Sequence, residues 1–209
     1  YSSAASDVYK RQMLDSVGYC EARYTPGRRS YHLTDPAWGK GELRISALAL
    51  PDVDGAIWKL EPVGFSSQSV LTAVMSEIKA HRLNRNGDMG ADPADSFEAP
   101  ENPQQVETCD IRLKNGVAYL VFRDFSIKML GKKEGSRLYE KAEKARAELA
   151  SRIRIETPDA YLNTLGGALA LAADGIWDGQ VWLHGAVGWR MPLLSLIHIS
   201  EPTRQAEIS

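Results

Sequence analysis

The sequence predicts an α+β fold: an antiparallel β-sandwich portion followed by helices. Three observations carry that reading. From Gly18 to about Leu130, apolar and polar residues alternate with a period of two between turn signals, as in strands that bury one face. Asn115-Gly116 separates two such runs, and Asn-Gly supplies the positive φ angles of a tight hairpin turn. After Gly131 the texture changes to helix, with helix formers throughout Ser136 to about Arg152.

The first strands are expected at Tyr19 to Tyr24 and Arg29 to Leu33, around Pro26-Gly27. Leu43 to Leu50 and Ala56 to Val63 form the next pair, with Trp58 and Leu60 on one face and Lys59 and Glu61 on the other. Val106 to Lys114 and Val117 to Asp124 are predicted to form a hairpin across Asn115-Gly116. Strands at such short intervals indicate a sandwich. Ser136 to about Arg152 reads as a helix, with Glu140 and Lys144 in the favourable order and Leu138, Ala142, Ala145 and Leu149 as a narrow apolar stripe. A second helix is predicted to about Ala173, with Thr157 as N-cap, Pro158 at the first helical position and Asp159 favourable to the dipole. Gly166, Gly167, Ala168, Ala170, Ala172 and Ala173 leave little side chain on it, so it needs close neighbours to be stable. It is expected to be poorly folded without them.

The two ends read differently from the rest. Asp7-Val8-Tyr9-Lys10-Arg11-Gln12 back-translates to a DNA string whose reverse complement encodes Leu194-Ser195-Leu196-Ile197-His198-Ile199. An inverted repeat around an insert is what a transposon-based sequencing library leaves, so 1–12 and 194–209 look like translated adapter and are set aside. Met13 is then expected to be an internal methionine. The expected divisions are a sandwich portion over 13–130, a linker helix over 131–156 and a helical start over 157–193.

Roughly 180 residues remain, enough for one domain or parts of two. The formal net charge is −2, and the flanks carry equal numbers of acids and bases. That balance gives no reason to expect nucleic acid or an anionic membrane as partner, and no apolar run before the flank is long enough for a membrane span. Cys20 and Cys109 have no metal-type spacing; a buried free thiol in each is the expectation, with pairing the alternative.

The densest chemical constellation is the segment from Asp174 to Arg190, which holds three of the five tryptophans. Trp177, Asp178, Trp182, His184, Trp189 and Arg190 are the candidate substrate-binding residues. Indole faces stack on sugar C–H surfaces, while carboxylate, imidazole and guanidinium groups fork hydrogen bonds to hydroxyl pairs. The competing reading is a Gly-rich turn whose tryptophans are core. A second loop, 84–95, places oxygens at Asn84, Asn86, Asp88 and Asp92, with Asp95 near the last ligand position of a calcium loop. Met89 stands where such a loop turns on glycine, so a structural or substrate-facing turn is the reading preferred. His81 and Arg82 serve a site or end a strand, and His32 followed by Asp35 is too isolated to be half of a catalytic pair, so a surface or turn role is expected. The sequence contains no nucleophile elbow, phosphate-cradling loop or zinc-type His pair, and neither a cofactor nor a metal is expected.

Several of these segments carry a family resemblance. Tyr24-Thr25-Pro26-Gly27 with Tyr31, the run Gly41 to Leu50, Asn86 to Gly90, Thr157 to Asn163, Ala172 to Asp178 and Leu183 to Arg190 resemble a family of large bacterial proteins similar to six-hairpin glycosidases. The resemblance implies an N-terminal β-sandwich, a linker helix and an (α/α)6 barrel. On that reading 13–130 is a sandwich incomplete at its N-terminus, 131–156 the linker, and 157–193 the first helix and loop of a truncated barrel. It further implies a parent of glycoside hydrolase type acting on poly- or oligosaccharide, plausibly exported, with the present chain inactive alone. The alternative is a non-catalytic carbohydrate-binding or scaffold protein of the same architecture. Asp178, His184 and Arg190 are then residues of the first barrel loop that line a sugar site.

Overall fold

The computed structural model describes residues 12–76 and 106–177. In chain order its elements are β1 (Tyr19–Thr25), β2 (Arg28–Thr34), β3 (Glu42–Ala49), β4 (Gly55–Val63), β5 (Val70–Ser76), β6 (Val106–Arg112), β7 (Ala118–Arg123), β8 (Ser126–Leu130), α1 (Lys132–Ala150) and α2 (Ala160–Gly175), with 3-10 turns at Leu14–Ser16 and Pro36–Trp38. Six strands form one sheet in the order β1-β2-β3-β4-β7-β8, and β5 pairs with β6 in a second. The fold is therefore α+β, an antiparallel sheet-rich portion with two helices. The chain divides into two compact units. Among the described residues one holds 12–24, 28–73 and 109–140; the other holds 25–27, 74–76, 106–108 and 141–177.

In the first unit the strand register sorts the side chains. Leu43 lies opposite Pro62, Ile45 opposite Leu60 and Ala47 opposite Trp58, while Trp58 lies opposite Leu120 and Leu60 opposite Ala118. With a side-chain period of two, these residues share one face with Leu33, Phe122 and Ile127. Leu33, Leu43, Ile45, Leu60, Leu120 and Ile127 are all buried, and Trp58 meets Phe122 with ring centroids 4.7 Å apart. The other face is split. Toward β4 and β7 it carries Leu48, Ile57 and Tyr119, all buried. The ring of Tyr119 meets Tyr139 of α1 at 6.0 Å. A Cβ added to Gly135 would lie only 2.4 Å from the Tyr119 ring, so the helix approaches the strand where it has no side chain. Toward β1, β2 and β3 the same face is polar.

Several local readings are corrected. Asn115-Gly116 does not close a hairpin, because β6 pairs with β5 while β7 pairs with β4 and β8. It is a passage between sheets, and the Asn115 side-chain carbonyl accepts from the Gly64 backbone N–H at 3.1 Å. The tight two-residue hairpin is instead β7–β8, where Arg123 faces Ser126. Its loop residues Asp124 and Phe125 both have positive φ, 50° and 55°, the pair of angles a type I′ turn needs. Asp124 takes a hydrogen bond from Arg123 Nε at 2.8 Å, and Ser126 Oγ donates to Arg123 O at 2.8 Å. These local bonds support a turn that has no glycine. Strands β5 and β8 were not foreseen.

The helices also differ in detail. The N-cap of α2 is Asp159, not Thr157: its carboxylate accepts from the backbone of Tyr161 and Leu162. Asp is among the strongest N-caps, and Pro158 then lies outside the helix. Thr157 instead clamps Asn163, its N–H donating to Asn163 Oδ1 at 2.7 Å while Asn163 Nδ2 donates to Thr157 O at 2.9 Å. In α1, Glu140 accepts from Ser136 Oγ at 2.8 Å, and Lys144 faces Glu148 at 3.8 Å rather than Glu140. Of the apolar stripe, Ala142 is buried and Leu138, Ala145 and Leu149 are half-buried. Both cysteines are free, but Cys20 is exposed and Cys109 only half-buried, so neither is a core thiol.

In the second unit Arg146 forks onto Glu143 at 2.9 and 2.7 Å and donates to Pro26 O at 2.6 Å. Helix α2 buries its small residues Gly166, Gly167 and Ala170. A Cβ on Gly166 would lie 2.6 Å from Ile153 O, and one on Gly167 3.0 Å from Pro26. Its large apolar residues Leu162, Leu165 and Leu169 are 49%, 45% and 48% exposed.

Candidate functional site

The polar part of the sheet forms a groove of about 340 Å³ lined by Glu21, Arg23, Ser30, Tyr31, His32, Arg44, Ile45, Ser46 and Glu61. Its origin is the strand register. Ser30 lies opposite Ser46 and His32 opposite Arg44, while Arg44 lies opposite Glu61 and Ser46 opposite Lys59. Neighbouring strands thus bring polar residues far apart in sequence into adjacent positions on one face. On β1, Tyr19, Glu21 and Arg23 recur every second residue, and Tyr19 meets the His32 ring edge-on at 6.1 Å.

The charges of the groove and its rim are arranged in pairs. Arg23 Nε bonds Glu21 at 2.5 Å, His32 Nε2 and Glu42 Oε2 are 3.1 Å apart, and Lys59 bonds Glu61 at 2.9 Å. Burial opposes the charge on Lys59, but the hydrogen bond and charge of Glu61, with Tyr119 and Tyr139 nearby, outweigh it and hold the ammonium above its ordinary range. Arg44 stands outside these pairs: it lies between His32 and Glu61 in the register, is exposed, and its side chain has no ion pair or hydrogen bond among the described residues. Ser30 and Ser46 likewise have no side-chain hydrogen bond among the described residues. The site therefore offers a half-exposed phenol ring, three carboxylates, an imidazole, an ammonium, two serine hydroxyls and two guanidiniums, of which Arg44's is unpaired among the described residues. Such a mixture forks hydrogen bonds to vicinal hydroxyls while the ring supplies an apolar face.

Of the residues singled out in sequence, Trp177 is described. It follows α2, is 44% exposed, and its backbone N–H donates to Asp174 O at 3.2 Å. Asp178, Trp182, His184, Trp189 and Arg190 lie outside the described residues, as do the 84–95 loop, His81 and Arg82. So do the adapter-like flanks, except Gln12. Asp35 has the turn role expected of it, and His32 faces Glu42 rather than Asp35. Asp35 caps the Pro36–Trp38 turn through Ala37 N at 2.7 Å, and accepts from Gly18 N and Gln12 Nε2, each at 2.8 Å. The Gln12 bond and then the two backbone N–H groups hold its carboxyl below the ordinary 3.8. Tyr19, Glu21, Arg23, Ser30, Arg44, Ser46 and Glu61 were not singled out; their signal was the polar half of the period-two alternation.

A larger depression of about 520 Å³ is lined by Lys132, Lys133, Ser136, Arg137 and Glu140, all on one face of α1. Its walls belong to a single helix, so it reads as a solvated charged face. Among the described residues no group of three or more His, Cys, Asp or Glu is placed to hold a metal, and no helix is long and apolar enough to cross a membrane.

A family model described as a domain of unknown function (DUF4450) matches residues 9–155, most of the chain, ending within the segment between α1 and α2. No curated protein and no solved structure matches the chain.

Proposed function

We propose that this chain, which belongs to the DUF4450 family, is the sugar-recognising part of a protein that acts on poly- or oligosaccharides, with the sheet groove as a recognition site. The observation that carries the proposal is the combination of Tyr19, 51% exposed at the groove edge, with paired carboxylates and unpartnered hydroxyls on one face. A sugar presents that same alternation of C–H face and hydroxyl rim.

The parent is read as glycoside hydrolase-like, with 13–130 as sandwich, 131–156 as linker and 157–193 as the start of an (α/α)6 barrel. What supports the last division is the reversed pattern of α2. It buries glycine and alanine and turns Leu162, Leu165 and Leu169 outward, as expected of a helix that lies between two layers. Trp177, Asp178, Trp182, His184, Trp189 and Arg190 would line the sugar site of that second portion. A non-catalytic binding protein is the second reading. It is favoured by the groove itself, because each carboxylate there sits beside a cation or imidazole and is occupied as an acceptor, whereas glycoside hydrolysis needs two carboxyls free to act across one bond.

The test is to titrate the chain with a panel of soluble plant and microbial glycans while following reducing-sugar release. Binding without release, weakened about tenfold (~1.4 kcal/mol) by Tyr19→Ala, is the expected result. No binding to any glycan, or binding unaffected by Tyr19→Ala, would refute the groove as the recognition site.

A further inference from the structure

We propose that the groove selects saccharides bearing a carboxylate, and that Arg44 is the residue that receives it. The inference rests on the reading of the groove as a sugar site and specifies the substrate class.

Three of its charge contacts are internally matched: Glu21 with Arg23, Glu42 with His32, Glu61 with Lys59. Arg44 is the charged group left over, exposed on β3 with no ion pair among the described residues. Its neighbours are chemically suited to the rest of such a ligand. Ser46, two residues along β3, and Ser30, opposite Ser46 on β2, carry hydroxyls with no protein partner among the described residues. A guanidinium presents its donors in a fork that matches the two oxygens of a carboxylate, and the adjacent hydroxyls donate to or accept from ring hydroxyls. A neutral sugar would satisfy the hydroxyls and leave the guanidinium to water. A uronate satisfies both. An isolated acidic peptide would meet Arg44 but would not use Tyr19 and the hydroxyl pair together.

The experiment is calorimetric titration of the full 209-residue chain at low ionic strength with galacturonate oligosaccharides, their methyl esters and an oligo-aspartate peptide. The ester keeps the sugar and removes the charge. The expected result is that the acid form binds about tenfold or more tighter than the ester and the peptide, and that this preference shrinks as salt is raised. Arg44→Gln brings the acid form down to the affinity of the ester, and Arg44→Lys falls between, with thermal unfolding confirming that both variants are folded. Equal binding of acid and ester to the unaltered chain, or a preference that survives Arg44→Gln, would overturn the inference while leaving sugar recognition standing. Peptide binding as tight as that of the acid sugar would overturn it in favour of an acidic-peptide site. Failure of every saccharide, ester included, would overturn both readings.

Discussion

Gly135→Ala should destabilise the protein, although glycine to alanine within a helix ordinarily stabilises by about 1 kcal/mol. Gly135 is buried in the first turns of α1. A Cβ there would lie 2.4 Å from Cγ and Cδ2 of Tyr119 and 2.5 Å from its Cβ, where ordinary contact is about 3.5–4 Å. The ring cannot swing aside freely, because its Cβ is fixed to β7, the ring also packs on Tyr139, and Tyr119 is 6% exposed. Relieving the overlap requires the helix to lift by about 1 Å, and overpacking of that kind costs about 1–3 kcal/mol. Set against the helix-propensity gain, the net loss is up to about 2 kcal/mol, a fall in Tm of up to about 8 °C for a chain of this size. Thermal unfolding by circular dichroism reads it directly. Gly131→Ala is the control: a Cβ there meets nothing within 4 Å, so its Tm should shift by no more than about 1–2 °C. A Tm that rises with Gly135→Ala would refute the docking of α1 on Tyr119.

Three further outcomes follow from the contacts described. Asp35, whose carboxyl is held below its ordinary value, stabilises the fold above pH 3.8, and that contribution disappears as pH falls through the lowered folded value. Asp35→Asn should therefore unfold earlier than the parent chain at pH 7 and converge with it in acid; a gap independent of pH would contradict this assignment. Arg146→Met removes the fork onto Glu143 and the bond to Pro26 O and should cost about 2 kcal/mol in denaturant unfolding, whereas an unchanged midpoint would show the fork contributes nothing. Leu165→Ser with Leu169→Ser should leave Tm within about 2 °C, since both side chains are nearly half exposed; a large fall in Tm would place them in a packed core.

The sheet was legible because period two survives translation into structure. Trp58 with Leu60 and Lys59 with Glu61 do lie on opposite faces, and the strands around them fall close to their expected limits. What failed was local turn chemistry judged without its neighbours. Asn115-Gly116 is the residue pair a tight hairpin favours, yet pairing across the sheet placed β7 beside β4 and carried β6 elsewhere. Asp124-Phe125 carries the tight turn with no glycine to announce it. The apolar stripe on α1 was legible at Ala142, whereas the importance of Gly135 was not, because it depends on a ring that arrives from β7. The groove was hidden for the same reason. Arg44, His32, Ser30 and Glu61 are ordinary polar residues of alternating strands until register sets them side by side. Four tryptophan, histidine and arginine positions that dominated the sequence reading, Trp182, His184, Trp189 and Arg190, together with Asp178, lie outside the described residues.

The account turns on whether saccharide occupies the polar face of β1 to β4. The most direct measurement is an amide chemical-shift titration of the isotope-labelled chain with galacturonate oligosaccharide. Shifts confined to Tyr19, Glu21, Ser30, His32, Arg44, Ser46 and their strand neighbours are the predicted result. Shifts that cluster around Trp177 and beyond while the sheet amides stay still would contradict it.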